Sequence, residues 1–94
     1  MSESKMSTKK LELFIQSMGD VLNRIESISD FETWLKSQPS VTSVHTADHL
    51  IKTEPPKKEV TITFEMENGS TVSKVIDVIL FPDQSFGLAD VHEP

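Results

Sequence analysis

Residues 60–81 read VTITFEMENGSTVSKVIDVILF. In the first part Val60, Ile62, Phe64 and Met66 alternate with Thr61, Thr63, Glu65 and Glu67, the two-residue period of a strand with one dry face and one wet face. Asn68 and Gly69 accept positive φ, so they predict a two-residue hairpin turn or a slightly longer one with a bulge. The return strand, residues 71–81, carries Val72, Val75, Ile76, Val78, Ile79, Leu80 and Phe81, which puts apolar groups on both of its faces toward the C-terminal end. One layer of helix shields one face only. The other face, with Val75, Asp77, Ile79 and Phe81, is therefore the expected interface.

Working upstream, Pro55 and Pro56 cannot donate to a ladder, so residues 53–57 are expected to turn the chain back onto the hairpin. Before them Val41, Val44, Leu50 and Ile51 mark one long or interrupted strand reaching Thr53, with a bulge expected at Ala47 and Asp48. Further back the period changes. Leu11, Phe14, Ile15, Met18, Val21, Leu22, Ile25 and Ile28 recur at three- and four-residue steps, the stripe of an amphipathic helix beginning near Thr8. Ser29 followed by Glu32 has capping-box spacing and predicts a second, short helix over residues 30–37, closed by Pro39. Downstream, Pro82-Asp83-Gln84-Ser85 reads as a turn and residues 86–91 as a last short strand. Residues 1–7 have no apolar anchor except Met1 and Met6 and are expected to be disordered, leaving residues 8–94 as one domain.

Helices first and strands afterwards, with no helix placed for a crossover between strands, define an α+β fold: one long and one short N-terminal helix on a four-stranded antiparallel meander. This order resembles that of cystatin-like and other small helix-on-curved-sheet folds, an architectural likeness that no motif accompanies.

Composition narrows the function by exclusion. The 94 residues carry nine Lys plus Arg against fifteen Asp plus Glu, a net charge of −6, and no cysteine. Disulfides, thiol catalysis and thiolate metal sites are therefore excluded. Residues 59–94 hold Lys74 alone against seven carboxylates, so the basic patch that phosphate binding needs is missing, and nucleic acid is not an expected partner. No apolar run approaches the roughly 18–20 residues of a membrane-spanning helix, and the polar start does not read as a secretory signal, so the expected compartment is the cytoplasm. The three glycines are too scattered to cradle a phosphate, and no serine lies in a Gly-x-Ser-x-Gly turn.

Among candidate sites, His45, Asp48 and His49 have the spacing of metal ligands, and His92 or Glu93 would have to supply the third; without it they are polar groups on an edge strand. Asp77 interrupts the most apolar stretch. A carboxylate there serves either as a general acid or base or, more simply, as one outward position paired across the sheet with Lys74 or Thr61. Phe31 and Trp34, at helical spacing beside Leu35, read as core rather than as a ligand anchor. Glu65, Glu67, Asp83 and Asp90 read as an acidic surface for a partner with a basic patch. The expectation is a small non-enzymatic interaction module without cofactor, a homodimer through its sheet. A small-molecule or catalytic pocket between helix and sheet, and an acidic inhibitor of the anti-defence or immunity kind, are the alternatives.

Overall fold

The computed structural model describes residues 6–48 and 54–94, and the chain folds as two helices on one face of a four-stranded antiparallel sheet. Helix α1 spans Thr8–Leu22, and Ser7 caps it by accepting the Lys10 N–H at 3.1 Å. Met6, which the sequence places in a disordered segment, is buried and forms a parallel bridge with Met66. Its N–H donates to the Glu65 carbonyl, and its own carbonyl accepts from the Glu67 N–H. Order at Met6 and Ser7 thus comes from the hairpin strand and the helix start, partners that a local reading does not contain.

Helix α1 stops at Leu22, short of Ile25 and Ile28, and the Arg24 N–H tightens onto the Val21 carbonyl at 3.0 Å. Helix α2 then spans Ile28–Lys36. Its cap is Ser27 rather than Ser29: Ser27 Oγ accepts the Asp30 N–H at 3.2 Å, and Asp30 Oδ2 accepts the Glu26 N–H at 3.3 Å. Two overlapping serine-x-x-acid patterns compete here. Glu32 is drawn away from a capping role, because Thr46 Oγ1 donates to its Oε2 at 2.7 Å across to the sheet.

The strands are β1 (Val41–Asp48), β2 (Lys57–Glu65), β3 (Thr71–Leu80) and β4 (Phe86–His92), hydrogen-bonded in chain order. Strand β1 is irregular between Val41 and Ser43, not at Ala47 and Asp48. The readings of Leu50, Ile51 and Thr53 lie outside the described residues.

The hairpins β2–β3 and β3–β4 close in the same way. Gly69 N–H donates to the Met66 carbonyl and Met66 N–H to the Ser70 carbonyl; Gln84 N–H donates to the Phe81 carbonyl and Phe81 N–H to the Ser85 carbonyl. Each is a three-residue loop whose last residue is left-handed, Gly69 at φ 86° and Gln84 at φ 73°. The side chains of Asn68 and Asp83 each accept a backbone N–H two residues on, from Ser70 and Ser85.

Between the layers Met18, Leu22, Phe31, Leu35, Val60, Ile62, Phe64 and Ile76 are fully buried. Trp34 stacks on Phe14 with ring centroids 5.3 Å apart, and Phe14 meets Phe64 edge-on at 5.5 Å, so the aromatic residues of both helices belong to the core. Helix α2 lies along β1 and α1 along β4. Among the described residues no helix is long and apolar enough to cross a membrane.

A left-handed non-glycine residue carries a steric cost that glycine avoids, so Gln84→Gly is expected to stabilise the protein by about 0.5–1 kcal/mol. Gly69→Ala, at the matching position of the other loop, is expected to destabilise it by at least as much. Urea unfolding monitored by circular dichroism measures both; equal stability of Gln84→Gly and the parent chain would mean that the cost of the Gln84 conformation is no larger than the chain entropy glycine adds to the unfolded state.

Candidate functional site

The alternation of β3 divides its side chains between two environments. Ile76 and Val78 belong to the core cluster, and Val72 and Leu80 pack against it; Val75, although only 6% exposed, lies outside that cluster. Val75, Asp77 and Ile79 therefore point to the sheet face opposite the helices, as the sequence pattern requires. Phe81, just beyond β3, is 39% exposed, and its ring lies over Gly87: a Cβ at Gly87 would come within 2.6 Å of the ring.

The ladder registers set out this outer face row by row. Glu59 of β2 pairs with Asp77 of β3, which pairs with Asp90 of β4. In the next row Thr61 pairs with Val75, and Val75 with His92. Asp77 is only 7% exposed, although it stands in this carboxylate row. What holds it there is His92, whose Nε2 lies 3.3 Å from Asp77 Oδ1, while His92 Nδ1 lies 3.0 Å from the Glu93 carbonyl oxygen. The Glu93 carbonyl raises the His92 pKa above its usual 6.5. The hydrogen bond to Asp77 and the charges of Asp77 and Asp90 add to the rise, against a smaller opposing effect of desolvation.

Neither partner anticipated for Asp77 is the main one. Lys74 pairs with Ile62 in the ladder and its ammonium forms an ion pair with Glu93. His45 is exposed on β1 across from Thr61 and does not reach Asp77, and His49 lies outside the described residues. Asp48 is held below the usual carboxylate range by its hydrogen bond and ion pair with Lys58, 2.7 Å away.

The acidic residues expected to form one surface are dispersed. Glu67 belongs to the β2–β3 turn and Asp83 to the β3–β4 turn, at opposite ends of β3; Glu65 ends β2 and Asp90 lies beside Asp77. Asp83 is itself held low by the hydroxyl and backbone N–H of Ser85, as an element of its turn.

The group that does converge includes Glu59 and His92, neither of them singled out as a partner of Asp77 from the sequence. The signal lay in the spacing of Phe86, Leu88 and Val91, which breaks the two-residue period and implies a bulge that turns His92 outward.

Among the described residues, the buried side chains named above occupy the layer between helices and sheet. Hollows among the described residues include an open groove of about 290 Å³ lined by Met6, Ser7, Thr8, Met66, Glu67 and Asn68, and an apolar recess of about 60 Å³ lined by Pro56, Lys58, Val78, Leu80 and Phe86. Neither brings together groups suited to acid–base or nucleophilic work.

Comparison with protein-family models, curated proteins and solved structures finds no match, so the likeness to cystatin-like folds stays one of element order.

Because the folded His92 pKa lies above the unfolded one, its contribution to stability is complete below the ordinary imidazole pKa and is lost as pH rises through the folded value. In chelator-treated protein, NMR titration of the imidazole is expected to place His92 above 6.5, and Asp77→Asn is expected to bring it down. An unchanged His92 titration in Asp77→Asn would break the assigned pairing.

Proposed function

We propose that the protein is a non-enzymatic interaction module of the cytoplasm, and that it works by pairing with a second copy of itself through the helix-free face of its sheet. The observation that carries this reading is Phe81. A large aromatic ring lies over Gly87 on a face that neither helix covers, next to Ile79, which pairs with Gly87 in the ladder. Rings placed in this way form the centre of interfaces, where they bury much area for little conformational cost.

Charge does not forbid a symmetric pairing. Two residues along a strand span about 6.7 Å, so a two-fold axis lying between the sheets and crossing the strands at Ile79 sets the two Asp77 positions about 13 Å apart along the strand direction. The apolar ends then meet while the acidic rows are offset to opposite sides of the axis. A basic protein partner is favoured less, because Glu65, Glu67 and Asp83 are spread over both ends of the sheet and offer no single patch.

Light scattering coupled to size exclusion, at tens of micromolar, is expected to give twice the chain mass, and Phe81→Ser to give a folded monomer. Gly87→Ala is expected to weaken the pairing while leaving the fold intact, since its Cβ displaces only the tip of the Phe81 ring. A parent chain that stays monomeric at these concentrations overturns the proposal.

A further inference from the structure

The hydrogen bonds of His92 point to a second use of the same face. A carbonyl oxygen only accepts, so the contact between Nδ1 and the Glu93 carbonyl places a proton on Nδ1. An ionised carboxylate also only accepts, and Asp77 Oδ1 faces Nε2 at 3.3 Å. A neutral imidazole protonated on Nδ1 would turn a bare lone pair on the carboxylate. The contact is therefore attractive only with a positive centre between the two atoms, either a proton on Nε2 or a metal ion. Glu59 brings a third donor: one ligand atom from each of Glu59, Asp77 and His92 lies within 4.8 Å of the others.

We propose that Glu59, Asp77 and His92 form a binding site for a divalent transition-metal ion, best matched by Zn²⁺, in which the ion takes the place of the proton on His92 Nε2. One imidazole nitrogen and two carboxylates are a donor set that suits zinc, whereas calcium and magnesium favour oxygen alone. Two ligands at about 2.0–2.2 Å from a tetrahedral ion lie about 3.3–3.6 Å apart. The Asp77–His92 contact already has that spacing, and a Glu59 carboxylate oxygen stands within 4.8 Å of both.

The two carboxylates balance the ion's charge, and Asp90, directly across the ladder from Asp77, deepens the negative potential. The Nδ1–H bond to a backbone carbonyl is the outer support that metal-ligating histidines use to fix their tautomer. The three ligands stand on three adjacent strands, β2, β3 and β4, a rigid base for a site, and the remaining coordination position faces away from the helices. Zinc displaces to solvent whatever proton Nε2 carries.

The test is calorimetric titration of ZnCl₂ into the chelator-treated protein near neutral pH, with Ca²⁺ and Mg²⁺ as further arms. The expected result is one Zn²⁺ per chain, no comparable heat from Ca²⁺ or Mg²⁺, and a shift of the His92 Nε2 resonance on zinc addition. His92→Gln, a change at an exposed position that leaves the core untouched, should weaken binding by at least the roughly 10–100-fold that loss of an outer-shell partner costs. The double variant His45→Gln/His49→Gln should bind as the parent does. Phe81→Ser should also bind as the parent does, which separates the metal site from the pairing of two copies. Absence of zinc binding, an Nε2 resonance that zinc leaves unmoved, or binding that survives His92→Gln but is lost in the double variant, each overturns the assignment.

Discussion

The organisation of the outer face depends on a carboxylate in a strand interior. Asp77 is almost buried and has Glu59 and Asp90 directly across the ladder on its two sides. Like charges opposed across a sheet repel, and burial strengthens the repulsion. The row persists because β4 delivers His92 to the same spot. Counted back from Leu80–Phe86 in an uninterrupted register, His92 would meet Lys74 and Asp90 would meet Ile76, both on the helix side of the sheet. The bulge in β4 between Asp90 and Leu88 adds one residue and reverses that outcome: Val91 meets Ile76, Asp90 turns outward to Asp77, and His92 turns outward beside Val75.

Packing, rather than the charged groups, is what selects the bulge. Phe86 is buried in the core cluster and Leu88 and Val91 pack against it, along the strand that α1 follows. Burying an aliphatic side chain contributes about 1.5–3 kcal/mol, and a lost ladder hydrogen bond costs roughly 0.5–1.5 kcal/mol net. Even partial burial of Val91 offsets the irregularity, and it also avoids placing the Asp90 carboxylate against Ile76. The His92–Asp77 contact is thus a consequence of how the hydrophobic side of β4 is satisfied. A feature of the outer face is fixed by the opposite face of the same strand.

This coupling explains which parts were legible in the sequence. The α+β class, the strand order and the outward set Val75, Asp77, Ile79 and Phe81 follow from local periods and the Asn68-Gly69 turn, and these local signals agree with the final packing. The start of α2 was read at Ser29, but Ser27 also stands three residues before an acid, and the structure caps the helix there, with Asp30 accepting the Glu26 N–H and Glu32 engaged by Thr46. His92 was legible as a residue but not as a neighbour. One bulge changes the face of everything after it, so pairing across β3 and β4 cannot be read from composition or from contiguous spacing alone. The histidine pair His45 and His49 attracted attention by its spacing; on β1, His45 faces Thr61 and stays apart from the carboxylates.

The irregularities of the two edge strands also direct where a partner can approach. Strand β1 is irregular at Val41 and Ser43, and β4 at Asp90 and Leu88. At β1 the far end carries Asp48, paired with Lys58 of the neighbouring strand, and at β4 the last turn of chain places Glu93 on Lys74. Broken ladders and charged side chains oppose the addition of a further strand, because an incoming chain cannot keep its hydrogen bonds in register past a bulge. Association through backbone pairing is therefore disfavoured at both edges. The helix-free face remains, with Phe81 and Ile79 at one end and the group Glu59, Asp77 and His92 further along the same strands. Apolar and polar groups occupy separate rows of one surface, so a substitution in one row leaves the side chains of the other in place.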